Sequence, residues 1–246
     1  MSATGTASTP LLELDDVHVH LGGSHILQGV SFAVPATGVT ALLGRNGVGK
    51  TTTLRAVMGL VPRRGRIVLA GTDITSRQTH RIVRYGVGYV PEDRDVFGGL
   101  TVAENLRLAE RSRTPRYDLV HELFPELATR ARQSAGTLSG GQQQMLSLGR
   151  ALLEDNRLLL VDEPIKGLAP RIVTEVAEAL ERAAQVSPIV LVEQNLQVVA
   201  RLAAHAVVIV DGRVVHTGPA SELLADTERT RALLGVAAHQ PSREAS

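Results

Sequence analysis

A glycine-rich stretch, Gly44–Thr52, has the residue types and spacing that suit a polyphosphate. It follows the apolar run Val39–Leu43, matches Gly-x-x-x-x-Gly-Lys-Thr, and consists of Gly44, Arg45, Asn46, Gly47, Val48, Gly49, Lys50, Thr51 and Thr52. Glycines let successive backbone N–H groups face one anion, and a helix that begins near Gly49 adds unpaired N–H groups and a positive dipole end. In such a loop Lys50 reaches the β- and γ-phosphates, and the Thr51 hydroxyl ligates Mg²⁺. The sequence therefore predicts a nucleoside triphosphate site that uses Mg²⁺.

Acidic and amide side chains follow two further apolar runs. Asp162 and Glu163 come after Leu158–Val161, and Gln194 follows Ile189–Val192 and one glutamate. Parallel strands deliver their carboxyl ends to one edge of a sheet, where ligands of open α/β folds bind. We expect Asp162 to hold Mg²⁺ beside Thr51, and Glu163 to polarise the water that attacks the γ-phosphate.

A second candidate anion site is the stretch Leu138–Gln142. Ser139 is a favourable N-cap, and Gly140 and Gly141 expose the N–H groups of the helix that follows. A single nucleotide does not need both this helix start and Gly44–Thr51 from one chain. A dimer that holds two nucleotides at its interface would use both.

The hydrophobic pattern predicts the elements that place these residues. Alternating segments between Leu11 and Val34 predict antiparallel strands, and Ile67–Leu69 predicts a further hairpin arm. Helical periodicity extends from about Thr101 to Leu153, and predicts a helical subdomain inserted at about 93–155. The segments after it alternate between strand and helix, as βαβ units do: strands Leu158–Val161, Ile189–Val192 and Ala206–Val210, with helices Ile172–Ala184 and Leu196–Ala203 between them.

The predicted fold class is therefore α/β: a phosphate-loop nucleotide-binding domain with a mixed core sheet, an N-terminal antiparallel β subdomain and the helical insertion. We place the ATPase domain at 11–236, between tails at 1–10 and 237–246 that are too poor in apolar residues to pack.

Composition narrows the classes of function. The chain has 246 residues, a net charge of +1, 43% hydrophobic residues and no cysteine. The small net charge gives no basic surface for nucleic acid. The absence of cysteine excludes thiol chemistry and disulfides. No apolar run is long enough to span a membrane, and no signal segment opens the chain. We expect a protein that is cytosolic or that reaches a membrane only by docking to an embedded partner.

In this order and spacing, Gly44–Thr51, Leu138–Gln142 and Leu158–Glu163 resemble the ATP-binding subunit of ABC transporters over about Leu11–Gly235. Finer features are similar to the branched-chain amino acid importer group, in particular to its second ATPase. These features are Val90-Pro91-Glu92, Thr101–Leu106, Asp162–Pro170 and Val192-Glu193-Gln194-Asn195.

The resemblance implies that two ATPase subunits pair head to tail, with ATP between Gly44–Thr51 of one and Ser139–Gln142 of the other. It makes Glu163 the catalytic base, Asp162 the acid associated with Mg²⁺, and Glu92 a sensor of the γ-phosphate and Mg²⁺. The segment Glu92–Leu106, with Phe97 and Leu100 as its apolar part, would receive a cytoplasmic helix of a permease. The subunit would then sit on the cytoplasmic face of the cell membrane as a peripheral protein, and meet a solute-binding protein only indirectly.

Four positions depart from the general family pattern. Gln194 stands where the family places histidine, and it donates hydrogen bonds without carrying charge. Leu21 stands where an aromatic residue stacks on adenine, so either Leu21 or the adjacent His20 would pack on the base. Pro170 replaces an aspartate, and Lys166 is unusual in its loop, where we expect only a solvated charge.

The leading hypothesis is an energy-coupling ATPase of an importer for branched-chain amino acids or related small solutes such as amides and urea. An alternative is a soluble ABC-type ATPase that acts on DNA or the ribosome, although such proteins usually carry tandem domains or long insertions. Another is a small-molecule kinase, which leaves Leu138–Gln142 unexplained. The transported solute and the choice between homodimer and heterodimer stay open.

Overall fold

The computed structural model describes residues 9–235. Ten strands are present: β1 (Leu12–Leu21), β2 (Ser24–Val34), β3 (Val39–Leu43), β4 (Arg64–Leu69), β5 (Thr72–Asp73), β6 (Val87–Val90), β7 (Leu158–Asp162), β8 (Ile189–Val192), β9 (His205–Val210) and β10 (Arg213–Pro219). The α-helices are α1 (Lys50–Val57), α2 (Thr79–Arg84), α3 (Val102–Arg107), α4 (Tyr117–Leu123), α5 (Pro125–Thr129), α6 (Gly140–Leu152), α7 (Pro170–Ala183), α8 (Leu196–Leu202), α9 (Ala220–Ala225) and α10 (Thr227–Leu234).

Of the predicted tails, residues 1–8 and 236–246 lie outside the described part, whereas Thr9 and Pro10 precede β1 without regular structure.

The N-terminal strands form the predicted antiparallel sheet, in the order β2-β1-β4-β5. Strands β1 and β2 pair from Leu12 opposite Val34 to Leu21 opposite Ser24. Gly22 and Gly23 form the turn between them with φ of 54° and 85°, a region that suits glycine because it has no Cβ. The alternation of buried and exposed residues along these strands leaves one face for the core and one for solvent.

The core sheet has six strands in the order β10-β9-β3-β8-β7-β6. The pairs β9/β3, β3/β8, β8/β7 and β7/β6 are parallel, and β10 pairs with β9 antiparallel. The mixed sheet is thus confirmed, and β3, β7 and β8 end at the same edge because they are parallel neighbours.

The core sheet is covered on both faces, as the alternation in β7 illustrates. Leu158 and Leu160 pack in a cluster with α1 and the antiparallel sheet, whereas Leu159 and Val161 pack in a cluster with α6 and α7. All four side chains are fully buried, and each contributes about 2 kcal/mol by leaving water. This burial fixes the direction of the strand and therefore the position of Asp162 at its end.

The helices α3 to α6 lie between β6 and β7 and have their own buried side chains, which include Leu106, Val120, Leu127 and Leu146. The predicted limits of an inserted subdomain, about 93–155, enclose these helices, and we propose them as its boundaries.

Within residues 9–235, no helix combines the length and the apolar character that crossing a bilayer requires.

Candidate functional site

The phosphate loop joins the end of β3 to the start of α1. Gly44, Gly47 and Gly49 have φ of 146°, 81° and 109°. A Cβ on Gly44 would lie 2.3 Å from the carbonyl oxygen of Ile209, and one on Gly49 would lie 2.6 Å from Leu27. Gly49 is also the N-cap of α1, and because glycine has no side chain, no side chain caps the first N–H groups of this helix. The glycines are therefore required by the backbone, and the first turn of α1 opens into the curl of the loop.

Lys50 lies inside this curl. Its Nζ donates to the carbonyl oxygens of Gly44 and Arg45, both at 2.9 Å, and lies 4.0 Å from Oε1 of Glu163. Burial lowers the pKa of the ammonium, and the nearby carboxylates of Glu163 and Asp162 partly oppose this effect. A buried cation that is held only by carbonyl oxygens and a distant carboxylate can readily be attracted to the oxygens of a phosphate.

Thr51 and Asp162 meet at the start of α1 and the end of β7. The Thr51 hydroxyl donates to Oδ1 of Asp162 at 3.1 Å, and the carboxylate is fully buried. Its Oδ2 has no hydrogen-bond partner, and burial raises its pKa to about 6 despite the bond from Thr51. A buried carboxylate oxygen without a partner beside a hydroxyl suits a hard cation such as Mg²⁺.

Among the described residues, no group of three or more histidine and acidic side chains is arranged to hold a metal ion. This finding is compatible with Mg²⁺, which in nucleotide sites takes one or two protein ligands and completes its shell with phosphate oxygens and water.

Glu163 turns away from Asp162 because its backbone has φ of 44°, a left-handed value that is uncommon for a residue other than glycine. Its N–H donates to the carbonyl of Val192 at 2.9 Å, which ties the end of β7 to β8. Its carboxylate is nearly buried and accepts from Nε2 of Gln194 at 2.6 Å. The structure thus brings Glu163 and Gln194 together, in agreement with the argument from strand ends.

Gln194 also reaches the phosphate loop, since its Nε2 lies 2.6 Å from Oδ1 of Asn46. Its backbone is held by Glu193, whose Oε2 accepts from the N–H groups of Gln194 and Asn195. Burial raises the pKa of Glu193, and its other oxygen has no partner. Glu193 has no predicted role, although an acid directly after a buried strand is a signal that the sequence offers.

Lys166 differs from the solvated charge that we expected. Its ammonium lies 2.5 Å from Oε1 of Glu92 and 3.4 Å from Oε2 of Glu163, although more than half of the side chain is exposed. Glu92 itself lies half-buried after β6. The expectation was incomplete because Glu92 is 74 residues away in sequence, and only the pairing of β6 with β7 brings the two loops together.

Ser139 caps α6 as predicted. Its hydroxyl accepts from the N–H of Gln142, and the Gln142 side chain accepts from the N–H of Ser139, which is a capping box. The N–H groups of Gly140 and Gly141 lie outside this pair of bonds. In residues 9–235, no hydrogen bond or ion pair joins Ser139–Gln142 to Gly44–Thr51, so a role at the phosphate stays a prediction.

The predicted adenine contacts lie at the end of β1. Leu21 is 37% exposed, while His20 stacks on His25 with ring centroids 4.0 Å apart. Consecutive residues of a strand face opposite sides, so only one of Leu21 and His20 can lie against a given base. Pro170, the other departure, is the first residue of α7.

A groove of about 330 Å³ lies between the core sheet and the helical segment. It is lined by residues from β6, from the loop at Arg94 and Asp95, and from α6 at Ser147 and Arg150. Two large apolar side chains, Phe97 and Leu108, are exposed, and Leu108 lines the groove. The guanidinium of Arg150 lies 4.9 Å from the ring centroid of Phe97.

Comparison with known proteins is consistent across sequence and structure. The family model described as ABC transporter matches residues 27–166. The high-affinity branched-chain amino acid transport ATP-binding protein BraG of Pseudomonas aeruginosa is 38% identical over 92% of this chain and all of its own length. The probable branched-chain amino acid transport ATP-binding protein LivF of Archaeoglobus fulgidus is 34% identical over 86% of this chain and 93% of its own.

Further matches include a relative with a different transport role and two solved structures. The lipopolysaccharide export ATP-binding protein LptB of Escherichia coli K12 is 32% identical over 87% of this chain and 92% of its own. The crystal structure of a nucleotide-free ATP-binding cassette superposes with a TM-score of 0.77 and 24% identity, over 90% of this chain and 98% of the other. A structure of the ATP-binding subunit of an ABC transporter gives a TM-score of 0.76 at 29% identity, over 92% and 95% of the two chains.

The fold, the matched family model and the relatives that align over nearly their full length agree. The chain belongs to the ABC transporter family, as an ATPase that supplies the energy for transport.

Proposed function

We propose that this chain is the energy-coupling ATPase of an ABC importer for branched-chain amino acids or related small solutes. Two relatives with this stated transport role, BraG and LivF, align over most of the chain. The stretch Val192–Asn195 and the glutamate at position 92 agree with that group. LptB, which serves export, matches less closely at 32% identity. The protein acts at the cytoplasmic face of the cell membrane and is held there by its permease.

ATP binds at the phosphate loop with residues of the Gly44–Thr52 segment around its phosphates. Lys50 exchanges the carbonyl oxygens of Gly44 and Arg45 for phosphate oxygens, and Leu21 packs against the base. Thr51 and Asp162 would hold Mg²⁺, and Glu92 would sense it together with the γ-phosphate. When bound, Mg²⁺ offsets the charge that develops on the phosphate oxygens. The buried Oδ2 of Asp162, which has no partner, supports this assignment.

Hydrolysis uses Glu163 as the general base. A water oxygen attacks the γ-phosphorus while Glu163 accepts the proton of that water, and the bond to the bridging oxygen of ADP breaks. Gln194 orients the carboxylate through its bond to Oε1. One observation carries the proposal: Glu163 lies beside Lys50, Gln194 and the Thr51–Asp162 pair.

The complete site needs a second ATPase subunit, which is another copy of this chain or a homologous subunit. The partner's helix start, equivalent to Ser139–Gln142, supplies N–H groups to the γ-phosphate. The separation of Ser139–Gln142 from Gly44–Thr51 within one chain supports this arrangement.

The permease binds at the segment Glu92–Leu106 and the groove beside it. The exposed Phe97 and Leu108 offer apolar contacts, and the neighbouring arginines suit the polar end of a short cytoplasmic helix.

The test is Glu163→Gln, which keeps the shape of the side chain and removes the base. We expect steady-state release of phosphate from ATP to fall by more than about 100-fold because general base catalysis is lost, while ATP affinity by calorimetry stays within about threefold. Unchanged phosphate release would contradict the assignment of the base. A rate that does not respond to the permease and solute-binding protein would favour the alternative of a soluble ATPase.

A further inference from the structure

The two lysines of this chain lie at the same carboxylate. The sequence has 26 lysines and arginines, and only Lys50 and Lys166 are lysines. Their ammonium groups lie 4.0 Å from Oε1 and 3.4 Å from Oε2 of Glu163, one on each oxygen. Lys50 is explained by the phosphate loop. Lys166 is not explained by anything in the proposed hydrolysis.

Lys166 holds two acidic side chains rather than one. Its closest partner is Oε1 of Glu92 at 2.5 Å, and its own backbone N–H donates to the carbonyl of Glu163 at 3.2 Å. The hydrogen bond from Lys166 to Glu92 is the main reason that the pKa of the ammonium is raised. Without this cation, the carboxylates of Glu92 and Glu163 would repel each other.

The importance of Lys166 grows when ATP binds. Lys50 then turns towards phosphate oxygens and no longer balances the charge of Glu163. Within the described residues, Lys166 is then the remaining cation within 4.0 Å of that carboxylate. It contacts Oε2, whereas Oε1 accepts from Gln194 and keeps a second lone pair that can accept from the attacking water.

The segment that begins at Glu92 contacts the start of α6 at Gly140 and the groove at Arg150. The Arg94 guanidinium lies against Gly140, where a Cβ would be 3.0 Å from it. The carbonyl of Asp95 accepts from Arg150, and Asn105 fixes the backbone of Phe97. These contacts connect Glu92 and the ammonium of Lys166 to the start of α6 and to the groove.

We propose that Lys166 is a positioning residue that holds the base Glu163 in place and couples it to the Glu92 segment facing the permease. This inference rests on the proposed function. It adds a residue that the family pattern does not supply, because the position is unusual in this chain.

The experiment compares Lys166→Met, which keeps most of the length without the charge, with Lys166→Arg, which keeps the charge. We expect Lys166→Met to lower kcat for ATP hydrolysis about fivefold and to leave KM for ATP within about twofold, since the ammonium acts on the base and not on substrate binding. Lys166→Arg restores at least about half of the wild-type kcat. The control is Arg201→Met, which removes a surface cation paired with Glu178 and Glu181, and leaves kcat unchanged.

A double-mutant cycle with Glu92→Gln tests the coupling. If the ammonium acts through both acids, the effect of Lys166→Met becomes much smaller in the Glu92→Gln background, by about a factor of three or more. The stimulation of hydrolysis by the permease also falls in Lys166→Met. Thermal unfolding of every variant identifies a loss that comes from misfolding.

Three outcomes would overturn the inference: a wild-type kcat in Lys166→Met, an equal loss in Lys166→Met and Lys166→Arg, or effects of Lys166→Met and Glu92→Gln that simply multiply. These are distinct from failure of the proposed function, in which Glu163→Gln itself hydrolyses ATP at the wild-type rate.

Discussion

At the scale of single residues, the site contains a buried charge that lowers the stability of the nucleotide-free fold. Asp162 is fully buried, and one of its oxygens has no partner. In the mechanism that we propose, the cation that would balance it, Mg²⁺, comes only with the nucleotide. The carboxylate would then lower the stability of the empty protein and favour binding of the cation.

Asp162→Asn tests this trade-off. The folded-state pKa of Asp162 is raised to about 6 from an ordinary value of 3.8, so the folded state binds more protons than the unfolded state between these values. Its destabilising effect is therefore absent below the unfolded value and complete above the folded one. We expect the variant to raise the free energy of unfolding by roughly 1–3 kcal/mol at pH 7.5 in EDTA, and the gain to disappear as the pH falls through the range from 6 to 4.

Chemical denaturation at several pH values measures this effect. Asp155→Asn is the control, because the Asp155 side chain is 89% exposed and its removal should leave stability nearly unchanged. A loss of stability at pH 7.5 in Asp162→Asn would mean that the carboxylate is balanced in the empty protein.

At the scale of elements, the phosphate loop depends on two different requirements for glycine. Gly44 has a φ of 146°, and a Cβ there would meet the Ile209 carbonyl, a backbone atom that cannot move aside without disturbing β9. Gly47 has a φ of 81° and open space around it. Both positions have a positive φ, but only Gly44 is crowded. Substituting each of them therefore separates the effect of crowding from the effect of backbone strain.

We expect Gly44→Ala to lower the free energy of unfolding by roughly 2–4 kcal/mol, because β3 and β9 must separate, whereas Gly47→Ala costs only about 1 kcal/mol of backbone strain. Urea titration of both variants measures the difference. Equal losses would show that crowding at Ile209 has no part in the requirement for glycine.

The strands and helices with a clear hydrophobic period were predictable. Ile189–Val192 has the predicted limits, and Leu158–Val161 is extended only by Asp162. Strand β6 was missed because Val-Gly-Tyr-Val is short and contains a glycine, and α2 was missed because few of its residues are apolar. The N-cap of α6 was predicted because a capping box is local, with both partners within four residues.

Long-range pairing was not predictable from local pattern. Nothing in the sequence says that β3 lies between β8 and β9, since that order depends on how the complete chain packs. The site residues could be named because their strands end in polar groups. The contact of Lys166 with Glu92 could not, because it depends on the neighbouring positions of β6 and β7.

At the scale of the whole molecule, the separation of the phosphate loop from Ser139 predicts assembly driven by nucleotide. With Mg²⁺ and ATP, Glu163→Gln should elute from size exclusion at twice the monomer mass, because the bound nucleotide is not consumed. Adding Ser139→Arg should return it to the monomer, since a bulky side chain fills the place of the partner's phosphate.

The matched control is Ser221→Arg, at an exposed position near the start of α9, which should leave the dimer intact. A nucleotide-loaded Glu163→Gln protein that stays monomeric both alone and when mixed with a homologous ATPase subunit would contradict a site shared between two subunits.

The scarcity of lysine has a practical consequence for chemical labelling. A reagent that acylates primary amines finds only two side chains in this protein, and both lie beside Glu163. Lys166 is open to solvent, with 58% of its side chain exposed, whereas Lys50 is closed at 5%. Mass spectrometry of the acylated peptides should therefore find Lys166 modified before Lys50. If a partner subunit covers the reaction centre, as we propose, its binding should slow the modification of Lys166.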